Sequence, residues 1–251
     1  MTTDLGLRAG LRGLRNLVFP PLCVHCRGLV PDEGERAPLW RHVCPQCVAA
    51  IDFVRGAACD CCGHPFHGVV QGPRTCPHCI GLAPAFDRGR TATLFKGPVR
   101  SLVLELKYHH GTYLEPDLRE VFRLAADVST WVRGAVLVPV PLHPPKERER
   151  GFNQSRLLAR ALAAAVGPSV EVAEVLVRRI DTPSQTAFDR PTRLANLKNA
   201  FALAPRVTLN PLRRFVLIDD VFTTGSTLNH CARVLREGGC VNVDVVTLAH
   251  G

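Results

Sequence analysis

The chain has 251 residues, 46% of them hydrophobic and 21% charged, which excludes wholesale disorder and allows one or two domains with a sizeable core. Lys and Arg number 31 against 22 Asp and Glu, and the formal net charge of +9 suits phosphate-bearing partners such as nucleotides or nucleic acid. No apolar run reaches the roughly 18 residues that a membrane-spanning helix needs.

The first residues predict an amphipathic helix in a cytoplasmic protein. Leu7, Leu11, Leu14 and Val18 recur at helical spacing and form one apolar stripe. Arginines interrupt this stretch, so it lacks the continuous apolar core of a signal peptide. We expect the stripe to pack against the protein's own body rather than against a membrane.

Four Cys-x-x-Cys knuckles predict structural metal sites in the first third of the chain. Nine of the 11 cysteines lie between residues 23 and 79, and disulfides are rare in a reducing cytosol. Two residues between the thiols let both sulfurs reach one ion, and two knuckles complete a closed tetrahedral zinc site. The predicted ligands of about two Zn²⁺ ions per chain are Cys23, Cys26, Cys44, Cys47, Cys59, Cys62, Cys76 and Cys79.

The spacing of the knuckles allows more than one pairing. We favour sequential pairing, first with second and third with fourth, over a cross-braced arrangement. Cys61 adjoins Cys62 and could replace it as a ligand. The segment has little core of its own, so metal binding must supply much of its folding free energy. Because the sites lie in a separate region of the sequence, we expect loss of Cys23 to leave the rest of the chain largely folded.

Beyond a Pro- and Gly-rich stretch near residues 81–84, apolar strands alternate with helical patterns. Such alternation predicts a parallel α/β sheet with helices on both faces. In chain order, the predicted elements are a strand at 90–95, a helix opening at 97, a helix at 116–131, a strand at 135–140, a helix at 154–166, strands at 170–177 and 215–218, a helix at 226–236 and a strand at 241–248.

The strand at 215–218 leads into two acids and a hydroxyl-rich turn, a combination that predicts a phosphate site. Asp219 and Asp220 can hold a sugar diol or a metal-bound diol at the end of the strand. The following helix adds free N–H groups and the positive end of its dipole. The predicted phosphate-binding residues are Thr223, Thr224, Gly225, Ser226 and Thr227, where the glycine lets the backbone approach closely and the others offer hydroxyls.

This stretch resembles the 5-phosphoribosyl 1-pyrophosphate (PRPP) motif of type I phosphoribosyltransferases. The resemblance implies that Asp219 and Asp220 contact the ribose 2′- and 3′-hydroxyls as the catalytic pair, while the turn holds the 5′-phosphate. It also implies displacement at C1 of PRPP, with Mg²⁺ carried by the diphosphate and ribose hydroxyls of the substrate.

Further segments resemble the ComF family, which joins N-terminal Cys-x-x-Cys knuckles to a phosphoribosyltransferase-like domain and is linked to DNA uptake in natural competence. The segments, in the order of that family, are Pro139-Val-Pro-Leu-His143, Arg150-Gly-Phe-Asn-Gln-Ser155, Arg178-Arg-x-Asp-Thr182-x-Ser-Gln185, Arg193-x-x-Asn196 and Phe201. The implied architecture is a type I phosphoribosyltransferase-like parallel sheet flanked by helices, residues 85–251. It follows an N-terminal helix and a double zinc-ribbon module, residues 1–84.

The resemblance also implies contacts around the phosphate site. A loop after the strand at 135–140 would hold pyrophosphate, and the long polar segment at 178–199 would close as a hood. Lys107 at a helix end is a further candidate, although lysines favour that position for dipole reasons alone. The pyrophosphate-loop and hood candidates are Pro141, His143, Arg150, Asn153, Gln154, Arg178, Arg179 and Gln185.

Three functions fit these residues. The first is DNA uptake through nucleotide or single-stranded DNA binding, with the DNA-uptake helicase machinery as partner. The second is an active phosphoribosyltransferase with an unidentified acceptor, and the third is a PRPP-sensing regulatory protein without catalysis. The zinc module favours the first, although the sequence shows no obvious aromatic series for base stacking beyond Trp40, Phe53 and Phe66.

Overall fold

The computed structural model describes residues 20–31, 39–66, 68, 74–77, 79–80, 83–179 and 200–251. The N-terminal apolar stripe and the hood candidate Gln185 lie outside these residues. Within them, no helix is long and apolar enough to cross a membrane. The helices are α1 (Pro45–Ala49), α2 (Gly97–Tyr108), α3 (Glu115–Leu124), α4 (Ala126–Trp131), α5 (Pro144–Arg150), α6 (Gln154–Val166) and α7 (Ser226–Glu237).

Parallel strands form the central sheet, as the alternating pattern predicts. The strands within the described residues are β1 (Gly89–Leu94), β2 (Val136–Pro139), β3 (Glu171–Val172), β4 (Leu176–Arg178), β5 (Phe201–Leu203), β6 (Arg214–Phe222) and β7 (Asn242–His250). Five of them pair in the order β1–β7–β6–β2–β3, all parallel. The apolar residues of β2 and β6 are buried because helices cover both faces of the sheet. β4 and β5 form a separate antiparallel hairpin.

Two predicted elements differ from the structure. The helix predicted over 116–131 is divided into α3 and α4 at Ala125, whose ψ of 63° lies outside the helical region. The Ser129 hydroxyl donates to the Phe122 carbonyl across this break, at 2.6 Å. The strand predicted over 170–177 is also two strands, and between them the exposed Glu174 carboxylate pairs with Arg156 at 2.6 Å. The sequence patterns also missed β5 and α5.

Two hydrophobic clusters fill the space between the sheet and its surroundings, and each includes one half of the Cys-rich segment. In one cluster the first two knuckles pack with apolar residues of α2, α3 and α6. In the other, the last two knuckles pack with β2, β6, β7 and α7. Each half of the Cys-rich segment therefore shares an apolar cluster with the α/β sheet and its helices.

The chain between the two halves of the Cys-rich segment covers the outer edge of β1. Phe53 forms an antiparallel bridge with Thr93, and the Val54 N–H donates to the Ala92 carbonyl at 2.9 Å. Further along the same edge, the Gly89 N–H donates to a carbonyl of the Cys-rich segment. Backbone groups of an edge strand that would otherwise face water are thus paired within the chain.

Candidate functional site

Eight cysteine sulfurs meet in two groups of four, and both groups follow the sequential pairing of the knuckles. Within each group the sulfurs lie within 4.8 Å of one another, and the pairs Cys26–Cys44 and Cys62–Cys76 are 3.6 Å apart. A tetrahedron with metal–sulfur bonds of about 2.3 Å has sulfur–sulfur edges of about 3.8 Å, so both groups fit Zn²⁺. Four thiolates fill the coordination sphere, which gives each ion a structural role.

Backbone N–H groups at the knuckles support this assignment. The N–H groups of Gly28 and His64 donate to the sulfurs of Cys26 and Cys62, both at 3.4 Å. Such donors stabilise the thiolate form that binds metal. Cys61 is not a member of either group, so the ligand of this knuckle is Cys62.

Asp117, fully buried in the first turn of α3, anchors the first zinc ribbon to the α/β domain. Its Oδ1 accepts hydrogen bonds from the backbone N–H groups of Arg41 and His42, each at 2.8 Å. Its Oδ2 lies 3.0 Å from Nδ1 of His42. The loop that leads into the ligand Cys44 is therefore held by a side chain of the α/β domain.

The predicted phosphate loop lies between β6 and α7. Gly225 has φ of 69° and forms the cap of α7, so the cap itself has no side chain, and among the N–H groups of the first helical turn that of Ser226 donates to the Thr224 hydroxyl at 3.4 Å. The hydroxyl oxygens of Thr224 and Ser226 lie 2.9 Å apart, and Thr223 is exposed. The turn thus presents hydroxyls and backbone N–H groups in one place, an arrangement that binds phosphate.

The two predicted acids lie inside β6 near its C-terminal end, because this strand continues to Phe222. Asp219 Oδ1 accepts hydrogen bonds from the Ser155 hydroxyl at 3.0 Å and from the Asp220 N–H at 2.9 Å. Asp220 is 5% exposed, and its Oδ1 lies 3.0 Å from Nζ of Lys107. The structure thereby brings Lys107 to the acid pair. It also adds Ser155, which belongs to the Arg150–Ser155 segment but was not predicted as a site residue.

Asp219 has an unusual ionisation. Burial, followed by the charge of Asp220, raises the pKa of Asp219 to about 7. Hydrogen bonds from the Asp220 N–H and Ser155, together with the charge of Lys107, oppose this rise. The carboxyl group therefore gains or loses its proton near neutral pH.

A row of aromatic rings connects the second zinc site to the phosphate loop. His64 follows the ligand Cys62 by two residues, and its ring meets that of His250 edge-on, with centroids 4.8 Å apart. His250 stacks on Phe222 with centroids 5.5 Å apart and an interplanar angle of 12°. Phe222 in turn lies against Gly225. Packing from the zinc ribbon thus reaches the phosphate loop.

Asn153 and Gln154, predicted as ligand contacts, make hydrogen bonds within the protein. Asn153 Oδ1 caps α6 by accepting from the Ser155 N–H at 2.9 Å, and its Nδ2 donates to the Val140 carbonyl at 3.0 Å. Gln154 Oε1 accepts from the Arg150 guanidinium at 2.5 Å. These bonds hold Ser155 at the end of β2, where it reaches the acid pair.

The remaining candidates lie around the same end of the sheet. Pro141 and His143 follow β2, and the neighbouring Val140 N–H donates to the Ile218 carbonyl at 3.0 Å, next to the acids. Pro141 and Arg178 line one cleft of about 160 Å³. The Arg178 guanidinium lies over the Phe201 ring, 5.4 Å from its centroid. The Arg179 N–H pairs with the backbone of residue 200.

Comparison with known proteins identifies the family. Residues 14–80 match the model of the double zinc ribbon domain. The chain is 30% identical over 233 residues to DNA utilization protein YhgH of Salmonella typhimurium, covering 91% of this chain and 96% of that protein. The chain belongs to the ComF family. It is also 29% identical over 234 residues to competence protein F of Haemophilus influenzae, covering 90% of this chain and 96% of that protein.

Solved structures similar to this ComF-family chain include phosphoribosyltransferases. One is a hypoxanthine phosphoribosyltransferase from Staphylococcus aureus, 13% identical, with a TM-score of 0.34 over 54% of this chain and 64% of that chain. Another is the glutamine PRPP amidotransferase of B. subtilis, 18% identical, with a TM-score of 0.34 over 55% of this chain and 26% of that chain. The predicted family, the zinc-ribbon module and the parallel sheet flanked by helices are confirmed.

Proposed function

We propose that this ComF-family protein binds PRPP or a nucleotide 5′-phosphate at the end of β6 and acts in DNA uptake through nucleotide or single-stranded DNA binding. One observation supports the ligand site above all. Asp220 Oδ2 is buried, yet among the described residues it has no hydrogen-bond donor. A buried carboxylate oxygen without a donor is costly, and a ribose hydroxyl would satisfy it.

The phosphate group would occupy the turn from Thr223 to Thr227. The first-turn N–H groups of α7 and the neighbouring hydroxyls can donate to its oxygens, and the helix dipole favours its negative charge. Gly225 gives the turn its left-handed backbone conformation, with φ of 69°, and leaves room for the Phe222 ring beneath the loop.

The acid pair would hold the ribose. Ser155 and Lys107 orient the Asp219 and Asp220 carboxylates through their Oδ1 atoms, which leaves the Oδ2 atom of Asp220 for a ribose hydroxyl. PRPP would bring Mg²⁺ on its diphosphate, and this ion neutralises charge on the leaving group. Pro141, His143 and the arginines near residue 178 would surround the diphosphate.

The DNA part of the proposal is supported by the relatives and by charge. Proteins similar over about nine-tenths of this chain carry the names competence protein F and DNA utilization protein. The formal charge of +9, which becomes about +5 when each of two Zn(Cys)4 sites contributes −2, favours binding to a polyanion. We place the protein in the cytoplasm, where single-stranded DNA and the DNA-uptake helicase machinery would be its partners.

Calorimetry with PRPP and Mg²⁺ tests the ligand site. The double variant Asp219→Asn, Asp220→Asn should bind PRPP about 10- to 150-fold more weakly, because a hydrogen bond to a charged group contributes about 1.5–3 kcal/mol. Inorganic phosphate should bind both proteins alike. Absence of binding by the unaltered protein at about 1 mM PRPP would exclude the proposed site.

Two further measurements separate the functional alternatives. Binding of single-stranded DNA should weaken steeply as salt is added, because neutralised phosphates release counterions. No binding at low salt would contradict the DNA role. Release of pyrophosphate from PRPP in the presence of one of a panel of bases would instead identify an active phosphoribosyltransferase.

A further inference from the structure

A groove opens beside the acid pair, between the end of α2 and α5. It has a volume of about 440 Å³. We call it the Tyr108 groove. Lys107 contributes to its wall and also contacts Asp220, so the groove and the proposed ribose site are neighbours. The lining residues are Lys107, Tyr108, His110, Lys146, Glu149 and Arg150.

The two walls of the groove are fastened to each other. His110, whose φ of 52° is unusual for a residue other than glycine, donates from Nδ1 to the Arg150 carbonyl at 2.8 Å. Arg150 also donates to the amide of Gln154 in the first turn of α6. The end of α2 is therefore held against the end of α5, and the groove is formed without a ligand.

The charge of the groove favours a phosphodiester backbone. Its lining includes three basic side chains, Lys107, Lys146 and Arg150, against the single acid Glu149, and the Lys107 ammonium also forms an ion pair with Asp220. The guanidinium of Arg150 contacts an uncharged amide, so its positive charge is not cancelled by that contact. Successive phosphates of a nucleic acid can bind such a row of cations.

Tyr108 supplies the aromatic surface that the sequence alone did not reveal. Its side chain is 68% exposed, and among the phenylalanines, tryptophans and tyrosines in the described part of the chain the only other exposed one is Tyr113. Tyr113 already donates to Glu105 at 2.6 Å and packs against the ring of His42. An exposed tyrosine among cations offers a ring face on which an unpaired base can stack.

We propose that the Tyr108 groove binds single-stranded DNA, with phosphates on its basic side chains and a base stacked on Tyr108. This inference rests on the proposed DNA-binding function and locates it beside the nucleotide site. Bases of a duplex are already stacked within the helix, so they cannot stack on the tyrosine. The diphosphate group of PRPP carries no aromatic ring, so binding of that group in the groove would not use Tyr108.

Fluorescence anisotropy with a labelled oligothymidylate of about 15 nucleotides tests the groove in the full-length, zinc-loaded protein. Tyr108→Ala should weaken binding at least about fivefold, whereas Tyr108→Phe keeps the ring and should bind within about twofold of the unaltered protein. Lys146→Gln should weaken binding and lower the salt slope by about one unit. Arg133→Gln, which removes the same charge from an exposed position before β2, is the matched control and should retain the slope.

The outcomes distinguish the groove from the wider function. If the unaltered protein does not bind the oligonucleotide, the DNA-binding function itself is wrong. If it binds and Tyr108→Ala binds equally well, DNA binding stands but the groove is not its site. Equal loss in Tyr108→Ala and Tyr108→Phe would also overturn the stacking role. Thermal unfolding checks that each variant is folded, as expected for so exposed a side chain.

Discussion

The ring of Phe222 lies directly against Gly225, so that a Cβ atom built at Gly225 would be 2.6 Å from Phe222 Cζ. Two independent constraints thus require glycine at the centre of the predicted phosphate loop. Its φ of 69° is one that side-chain-bearing residues rarely adopt, and the ring leaves no space for a methyl group. The ring that supports the loop therefore also determines which residue the loop can contain.

Gly225→Val should abolish PRPP binding as measured by calorimetry. The branched side chain would collide with the Phe222 ring, so either the ring or the loop itself must move. Gly134→Val is the matched control, because Gly134 has φ of 75° but no atom within 4 Å of its Cβ position. Both variants carry backbone strain, and only Gly225→Val carries the collision. Equal PRPP affinity in Gly225→Val and the unaltered protein would refute the site.

His64→Ala should weaken PRPP binding while retaining the second zinc ion. The variant removes the ring that packs on His250, and the loop loses support through Phe222. An aromatic pair contributes about 0.5–1.5 kcal/mol, so affinity should fall by up to roughly 10-fold. The contact of His64 with the ligand Cys62 uses its backbone N–H, which alanine keeps.

Metal analysis and calorimetry on one preparation would check this prediction. His25→Ala serves as control. His25 is the exposed histidine of a knuckle in the other zinc ribbon, and its ring contacts the Ser101 hydroxyl of α2. Loss of zinc in His64→Ala would show that the ring acts on the metal site. Unchanged PRPP affinity with full zinc would show that the aromatic row does not position the loop.

The local parts of the candidate site could be predicted from the sequence. Strand, acids, turn and helix follow one another within residues 214–237, and their residue types dictate that local structure. The parts that come from tertiary packing could not be predicted in this way. Lys107 and Asp220 are 113 positions apart, and the partner of Asp219 proved to be Ser155. Neither contact could be predicted from the sequence, because contacts between distant residues do not change the local hydrophobic pattern.

The same distinction explains the two elements that were predicted as continuous. The break at Ala125 has no Gly or Pro to mark it, and a hydroxyl contact stabilises it instead. The division of the predicted strand at 170–177 reflects two different pairing partners, β2 for β3 and β5 for β4. The sequential pairing of the knuckles, which the sequence favoured over a cross-braced arrangement, is by contrast confirmed.

Asp219→Asn should stabilise the ligand-free protein above neutral pH. The pKa of Asp219 rises from 3.8 to about 7 in the folded state, mainly through burial, so folding binds a proton between these values. Stability therefore falls as pH rises from about 4 to 7, and the full cost of burying the charge is present above pH 7. Asparagine carries no such charge and keeps an oxygen for Ser155.

Chemical unfolding at several pH values would measure this effect. The stability advantage of Asp219→Asn should grow as the pH rises from about 4 to about 7 and then level off, while its PRPP affinity is lower at every pH. Asp244→Asn is a useful contrast, because Asp244 forms an ion pair with Arg214 at 2.7 Å and its loss should destabilise the protein. A stability difference independent of pH would show that Asp219 keeps an ordinary pKa.

Loss of the first zinc site should destabilise the α/β domain as well as the ribbon. Cys23 is fully buried in the cluster that contains the apolar faces of α2 and α3. If the ribbon opens, Asp117 loses the two N–H donors that satisfy its buried carboxylate. Opening also exposes to water the apolar residues of α2 and α3 that pack against the ribbon, which destabilises the domain. The shared packing thus reverses the expectation, drawn from separate sequence positions, that Cys23→Ser leaves the domain intact.

Metal analysis with hydrogen exchange would decide between the two expectations. Cys23→Ser should hold about one zinc ion instead of two, with lowered protection of the α3 amides around Asp117. Cys240→Ser, which alters a buried thiol outside both metal groups, should keep both ions and its α3 protection. Full protection of α3 in a Cys23→Ser protein that has lost one ion would restore the idea of independent folding. A zinc content below one ion per chain in the unaltered protein would instead contradict the metal sites themselves.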